Sequence, residues 1–356
     1  RWIARAFLYE SASNFPCMSV RNFEAIRRLY RGSETHPSLR FSRAAWLVLT
    51  VGFAAVAAAG IQLPLEAQMV IYLVGMIALN LPHGGYEHFE NLRRRQPTFR
   101  WRYVAAYLSG IALFVALLFV APVAGLALAV SVAVAKGGLG GLSVLDATTG
   151  TDHLQSRVQR LLAAGVRGGA VMFVPIVFWP ETFHTFSALM VGLIEPGGLA
   201  PYAAYFDVTR PLIAGGYGLA LVTHVGLGYV RGGGRSWLVD AGESVLLAAY
   251  FAFVPVLVAV GLYFPFWYSA RQVARTQTVT DEPTDGGEWD LVGGSDPATV
   301  AIRAWGILVA GALATVAVLA AVYWVVPNPL AGAGFLPGAV AFWSIFISIV
   351  ALPHVV

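Results

Sequence analysis

The chain has 356 residues, of which 58% are hydrophobic and only 12% are Asp, Glu, Lys or Arg. A water-soluble protein of this length cannot bury so large an apolar share, so we expect an all-α, multi-pass protein integral to the cell membrane. The net charge of +4 does not indicate nucleic acid as a partner, because the arginines cluster beside apolar runs, as cytoplasmic flanks of spanning helices do. The single cysteine excludes an internal disulfide and a cysteine-rich metal site.

Apolar runs follow one another from residue 44, after a mixed and basic stretch. We interpret 1–43 as an N-terminal basic cytoplasmic segment and 44–356 as a membrane helix bundle. Because two of the runs are short and are interrupted by Pro175 and Pro180, they could be half-helices or one re-entrant unit, and we expect eight to ten spans in all. An exposed acidic loop is predicted at about 276–298. The candidate spans are 44–61, 67–82, 102–121, 123–145, 166–179, 182–195, 211–230, 241–267, 301–326 and 335–354.

Two glycine-rich runs, 137–141 and 215–218, fall inside predicted helices. Small residues let helix backbones approach closely, so we expect a helix contact at each run. Neither run has the Lys-Ser/Thr completion of a phosphate loop, so nucleotide binding is not indicated. The only lysine in the sequence, Lys136, stands directly before the first run.

The motif Leu81-Pro82-His83-Gly84-Gly85-Tyr86-Glu87 ends the second apolar run, where ionisable groups are costly and usually have a purpose. His83 and Glu87 are four residues apart, so on a helix they share a face and can address one cavity. A second Leu-Pro-His ends the last apolar run and supplies His354. The repetition predicts that His83 and His354 form two walls of one site.

Three further positions are candidates on weaker grounds. His224 lies in the middle of the predicted span 211–230, where a neutral histidine bonded to a neighbouring helix is the common case and a position on a cavity wall is the alternative. Tyr268 and Gln272 are four residues apart and share a helix face, which is the geometry of a pair of metal ligands. A phenol and an amide are nevertheless poor ligands for iron or zinc.

These motifs resemble the Brp/Blh family of membrane proteins, which cleave β-carotene to two molecules of retinal for microbial rhodopsins. The family's Leu-Pro-His-Gly-Ala-x-Asp is similar to the motif at His83, and its last block is similar to the terminal Leu-Pro-His. Its Tyr-Phe-x-x-x-His-Ser-x-Arg-His is similar to the stretch from Tyr263 to Gln272. Arg167-Gly168-Gly169 and Phe178-Trp179-Pro180-Glu181 fit its middle.

The resemblance implies a non-haem iron held by four histidines, and only one of them, His83, stands here. Thr148 falls where the second histidine belongs, unless His153 substitutes by a local shift, and Tyr268 and Gln272 replace the last two. We therefore predict a protein that binds or handles a carotenoid or retinal without cleaving it. Its expected partners are membrane lipids and a microbial rhodopsin or another membrane subunit.

Two other functions stay open from the sequence. The first is an active, iron(II)-dependent β-carotene 15,15'-dioxygenase with a rearranged site drawn from His83, Glu87, His224 and His354. The second is a membrane lipid hydroxylase or desaturase, to which His83 and His88 give a slight likeness although paired His-His boxes are missing. A purely structural subunit is a further, non-enzymatic alternative.

Overall fold

A computed structural model describes residues 37–79, 101–272, 274–275, 306, 313 and 315–351. Within these ranges every regular element is helical and no strand is found, which confirms the all-α prediction. The predicted site residues His83, Glu87 and His354 lie outside the described residues, as do residues 1–36 and the predicted acidic loop.

Six of the described helices lie within residues 37–192. Helix α2 continues into a wider, π-helical turn, Val74–Leu79. The helices are α1 Pro37–Ala58, α2 Leu65–Leu73, α3 Trp101–Val120, α4 Pro122–Thr148, α5 Arg157–Phe178 and α6 Pro180–Gly192.

The second half begins with a 3₁₀ turn, Ala200–Tyr205, that leads into α7. Helix α9 continues into a second π-helical turn, Tyr263–Ser269. The helices are α7 Phe206–Arg231, α8 Gly234–Phe253, α9 Val256–Leu262, α10 Thr315–Val325 and α11 Phe335–Ala351.

Four helical stretches are long and apolar enough to cross a membrane: α1, α4, α5 and Ala200–Arg231, which joins the 3₁₀ turn to α7. Shorter apolar stretches occur in α2, α3, α10 and α11. The chain thus has the character of a membrane protein, whereas the expected total of eight to ten spans stays a prediction.

Helix α5 corrects the expectation of a short segment at 166–179. The helix starts nine residues earlier, at Arg157, and the Ser156 hydroxyl caps it by accepting a hydrogen bond from the Gln159 N–H at 3.2 Å. Its first turns carry charged and amide side chains, so a search for apolar runs does not include them in the helix. Pro180 then begins α6, because proline is well tolerated in the first turn of a helix but not in its interior.

The predicted span 241–267 is not one continuous helix, since parts of two helices lie within this range. Helix α8 ends at Phe253, and Val254 takes an extended conformation with φ −89° and ψ 129°. The residue before a proline is sterically pushed out of the helical region, and Pro255 follows directly. Helix α9 restarts at Val256 and leads into the second π-helical turn.

Helix α5 lies at the centre of the described helices and packs against α4, α7 and α8. Its contact with α4 depends on two glycines: a Cβ added to Gly168 would lie 1.8 Å from the Val134 carbonyl oxygen, and one added to Gly138 would lie 2.0 Å from that of Ala164. The first glycine run therefore makes the expected close contact. The second does not, because a Cβ on Gly215, Gly216 or Gly218 would meet no described atom within 4 Å.

Candidate functional site

An apolar cavity opens between α2, α4, α5, α6, α9, α11 and the two π-helical turns. Its volume of about 160 Å³ is several times the space that one water molecule needs. Met76, Leu126 and Phe186 are typical of its walls, and its polar lining includes Tyr72, whose hydroxyl lies 2.7 Å from the Ser344 hydroxyl. A cavity with such walls suits a hydrocarbon.

Tyr268 and Gln272 come together at this cavity, as their spacing predicts. Tyr268 lines the cavity, and Gln272 is buried beside it and donates a long hydrogen bond of 3.5 Å to the Gly140 carbonyl. Both side chains lie against Gly140 of α4, since an added Cβ there would be 2.9 Å from the Tyr268 ring and 3.4 Å from Gln272 Nε2.

Thr148 is not the residue of α4 that faces this pair. Gly140 faces it, and Thr148 lies two helical turns further on, about 12 Å along the axis. The Thr148 hydroxyl instead donates to the Val144 carbonyl at 2.7 Å. The structure therefore joins two of the three replaced positions and leaves the third apart.

The π-helical turn Tyr263–Ser269 sends its side chains to separate surroundings. Tyr263, Phe264 and Tyr268 line the cavity. Trp267 instead packs in a buried aromatic cluster, with its ring centroid 5.3 Å from that of Trp46, which stacks on Tyr250 at 3.9 Å. π-Helical turns are rare in proteins, and many of those that occur are found at functional sites. The position of this turn at the cavity wall agrees with that tendency.

Lys136 also lines the cavity, and its Nζ lies 5.6 Å from the centre of the Tyr268 ring. An ammonium group over an aromatic face is attracted by the ring's negative surface. The cavity thus brings an amine and a phenol together within mostly apolar walls.

A charge cluster, formed by buried charged side chains, lies outside the residues that line the cavity. Its two carboxylates, Asp240 and Glu243, are on α8, and its arginines come from other parts of the chain. Glu243 is fully buried and accepts hydrogen bonds from three guanidinium groups. Arg43 donates to it at 2.6 Å, Arg271 at 2.6 and 2.8 Å, and Arg167 at 2.9 Å. Because one carboxylate bonds arginines from α1, from α5 and from the segment after the π-helical turn, it holds together parts of the chain that are far apart in sequence.

Asp240 is the second carboxylate of the charge cluster and accepts from Arg167 Nε at 2.8 Å. His153 Nε2 lies 2.9 Å from the Asp240 carboxylate, and His153 Nδ1 lies 3.1 Å from the Ser236 hydroxyl oxygen. His224 Nε2 lies 3.2 Å from the same Asp240 oxygen. His224 is therefore a buried histidine bonded to a neighbouring helix, which was the common case, and it does not line the described cavity.

Sequence reasoning missed both carboxylates of the charge cluster. Asp240 and Glu243 are three residues apart and so lie on one helix face, and residues 236–253 contain no other Asp, Glu, Lys or Arg. Ionisable residues are rare in such a helix, and their presence could have indicated a buried polar cluster. The predicted boundary at residue 241 instead placed Asp240 outside the span.

The described residues near Tyr268 do not fit an iron centre. Iron prefers imidazole, thiolate and carboxylate ligands around one point, and within the described ranges no group of three or more His, Cys, Asp or Glu side chains is arranged to hold a metal ion. The polar side chains of the cavity wall instead carry phenols, aliphatic hydroxyls and the Lys136 amine, with the Gln272 amide beside them. His153 and His224 are bonded to Asp240.

Comparison with known proteins agrees with the motifs. The model of the family described as beta-carotene 15,15'-dioxygenase matches residues 74–356. Two proteins from strains R1 and NRC-1 of Halobacterium salinarum, each named "Probable beta-carotene 15,15'-dioxygenase Brp", are 54% identical over 324 residues, 89% of this chain and 90% of each relative. "Probable beta-carotene 15,15'-dioxygenase Blh" from strain NRC-1 is 29% identical over 321 residues, 87% of this chain and 88% of that relative. No solved structure matches the chain.

The family match starts at the π-helical turn Val74–Leu79 and runs to the end of the sequence. It includes most of the cavity wall and every member of the charge cluster except Arg43. The resemblance that the Leu-Pro-His motifs indicated is confirmed. The chain belongs to the beta-carotene 15,15'-dioxygenase family.

Proposed function

We propose that this chain is a multi-pass protein of the cell membrane that binds a carotenoid, or the retinal derived from one, in the apolar cavity and does not cleave it. The observation that carries the proposal is the cavity itself, with Tyr268 in its wall and Gln272 beside it. A long hydrocarbon gains free energy from leaving water for such walls in proportion to its apolar area. The side chains beside Tyr268 would hold and orient it rather than a metal ion.

The lack of cleavage follows from the chemistry of the side chains at the replaced positions. Oxygen-dependent cleavage needs a firmly held iron with open coordination positions. An amide and a phenol hold iron(II) poorly, and a lysine amine in its charged form repels a cation nearby. In this proposal the polyene stays intact and passes to a partner, which would be a microbial rhodopsin or another membrane subunit, with membrane lipids around both.

The proposal is tested in cells that make β-carotene. We expect the purified full-length chain to carry a carotenoid absorbance spectrum and iron far below one atom per chain by elemental analysis. Extracts of the same cells should contain no more retinal than cells without the chain. Stoichiometric iron together with retinal production would overturn the non-catalytic proposal, and a colourless protein that does not take up β-carotene would overturn binding.

A second candidate is cleavage of β-carotene to retinal, and the 54% identity to relatives named as probable dioxygenases favours it. The iron would then be held by residues outside the described ranges, among them His83, Glu87 and His354. In that case His83→Ala should abolish retinal formation in the co-expressing cells, with the amount of folded chain unchanged.

Gly140→Ala tests whether the position of Tyr268 matters for the ligand. The new methyl would lie 2.9 Å from the ring, so the ring must move and the cavity wall changes shape. We expect carotenoid binding to weaken by about 1 kcal/mol, or about fivefold, in a titration followed by absorbance. The matched control is Gly141→Ala, whose methyl would make only ordinary contacts at 3.6 Å to Arg167. Equal affinities for the two variants would show that the ligand does not depend on this part of the wall.

A further inference from the structure

The hydroxyls of Tyr72 and Ser344 form a pair on the cavity wall, where α2 and α11 meet. Both residues line the cavity, and their hydroxyl oxygens lie 2.7 Å apart. The Ser344 hydroxyl also lies 2.7 Å from the Val340 carbonyl oxygen, one helical turn back. A carbonyl oxygen can only accept a hydrogen bond, so the single proton of the Ser344 hydroxyl goes to Val340. Tyr72 is therefore the donor to Ser344.

This order of donors and acceptors leaves the Tyr72–Ser344 pair with acceptors only. A hydroxyl has one proton and two lone pairs, and both protons of the pair are already used. Within the described ranges neither hydroxyl oxygen has a further hydrogen-bond partner, so each keeps a lone pair for a ligand. A ligand group that donates a hydrogen bond fits this part of the wall. A carbonyl group, which only accepts, does not.

The position of Tyr72 is fixed by close packing. A Cβ added to Gly261 of α9 would lie 2.6 Å from the Tyr72 Cα, and one added to Gly75 would lie 2.2 Å from the Gly261 carbonyl oxygen. Tyr72 is almost completely buried and belongs to the same apolar cluster as Trp343 and Phe346 of α11. A pair held in this way loses little conformational freedom when a ligand binds.

Two further hydroxyls of the wall, those of Thr182 and Ser187 on α6, do not impose the same choice. Each lines the cavity, and each can rotate either to donate or to accept a hydrogen bond. In the Tyr72–Ser344 pair the bond to Val340 removes that freedom. The preference for a donor therefore comes from the pair.

We propose that the Tyr72–Ser344 pair selects a polyene that ends in a hydroxyl group, by accepting a hydrogen bond from that group. The choice of a polyene rests on the proposed function, and the hydroxyl narrows it to an alcohol, either a hydroxylated carotenoid or the shorter retinol. A polyene without oxygen leaves the acceptors of the pair unfilled. An aldehyde such as retinal can bond here only if Tyr72 gives up its hydrogen bond to Ser344.

The test compares dissociation constants of the purified full-length chain for two matched pairs of polyenes, in titrations followed by absorbance. β-Cryptoxanthin differs from β-carotene by one ring hydroxyl, and retinol differs from retinal by an alcohol in place of the aldehyde. We expect the alcohol to bind about fivefold more tightly, which is the usual net contribution of one hydrogen bond. A preference within the first pair alone identifies a hydroxylated carotenoid as the ligand, and one within the second pair alone identifies retinol.

Two variants should change this preference in different ways. Tyr72→Phe keeps the ring and loses one acceptor, so the affinities of the alcohol and its matched polyene should approach each other. Ser344→Ala frees the Tyr72 proton to donate to a ligand, so retinal should bind about fivefold more tightly than to the original chain. A merely structural role of Ser344 would not produce this gain.

The matched control is Ser131→Ala on α4, which removes a hydroxyl bonded one turn back to the Ala127 carbonyl at 2.8 Å and lies outside the cavity lining. It should bind every polyene like the original chain. If Tyr72→Phe does not fold, Ser344→Ala keeps the buried ring and still separates alcohol from aldehyde.

The results separate this inference from the proposed function. Equal affinities within both pairs of polyenes, tighter binding of retinal than of retinol, or a preference that Ser344→Ala leaves unchanged would overturn the selection of an alcohol and leave the proposed function standing. Failure of all four polyenes to bind would overturn the proposed function and the inference with it.

Discussion

Glu243→Gln is expected to lower the free energy of unfolding by about 3–5 kcal/mol, because three buried guanidinium groups would lose the charge that they share. The amide has nearly the shape of the carboxylate, so the loss measures charge and not packing. The measurement is the fraction of chain that stays monodisperse in detergent after heating, compared over a temperature series.

The matched control is Asp146→Asn, which removes a carboxylate from a partly exposed ion pair with Arg160. Pairs near the surface are screened and typically contribute less than about 1 kcal/mol. We expect this variant to behave like the original chain. If both variants lost the same stability, the larger contribution expected of Glu243 could not be attributed to the burial of its ion pairs.

Gly168→Ala is expected to cost about 3 kcal/mol, since the new methyl would sit 1.8 Å from the Val134 carbonyl oxygen. The clash is with backbone, so it cannot be relieved by a side-chain rotation, and α4 and α5 must move apart. The same heating series in detergent measures the loss of stability. Because α4 lines the cavity, its displacement should also reduce carotenoid binding.

Gly165→Ala on the same helix is the control, because its methyl would meet no described atom within 4 Å. Both variants change glycine to alanine in a helix, so the gain in helix propensity is the same in each. In Gly165→Ala nothing opposes this gain, and the variant should be stabilised by up to about 1 kcal/mol. Their difference isolates the contact between helices. A tolerated Gly168→Ala would mean that α4 and α5 do not approach as closely as described.

The sequence predicted best where one physical signal dominated. Helices α3 and α4 agree with 102–121 and 123–145 to within three residues at each end, because their apolar runs are long and unbroken. The start of α5 was missed because its first turns are polar. Arg167 shows the limit of hydropathy, which treats an arginine as exposed although this one is almost completely buried.

The candidate site was predictable only where residues are close in sequence. Tyr268 and Gln272 share a face because their spacing matches a helical turn, and the structure places both against Gly140. Thr148 was selected by resemblance to a family motif, and nothing in its own spacing related it to that pair. The bond between Arg43 and Glu243 joins residues 200 positions apart, and no periodic pattern in one sequence connects such a pair.

That separation has a consequence for how the protein is made. The ribosome completes Arg43 and then Arg167 well before Glu243 is translated. Until then each growing intermediate holds cations whose counter-charge does not yet exist, and a membrane interior tolerates such cations poorly. The pairing of Arg43 and Arg167 with Glu243 can therefore form only after α8 has been made, and Arg271 joins the cluster later still.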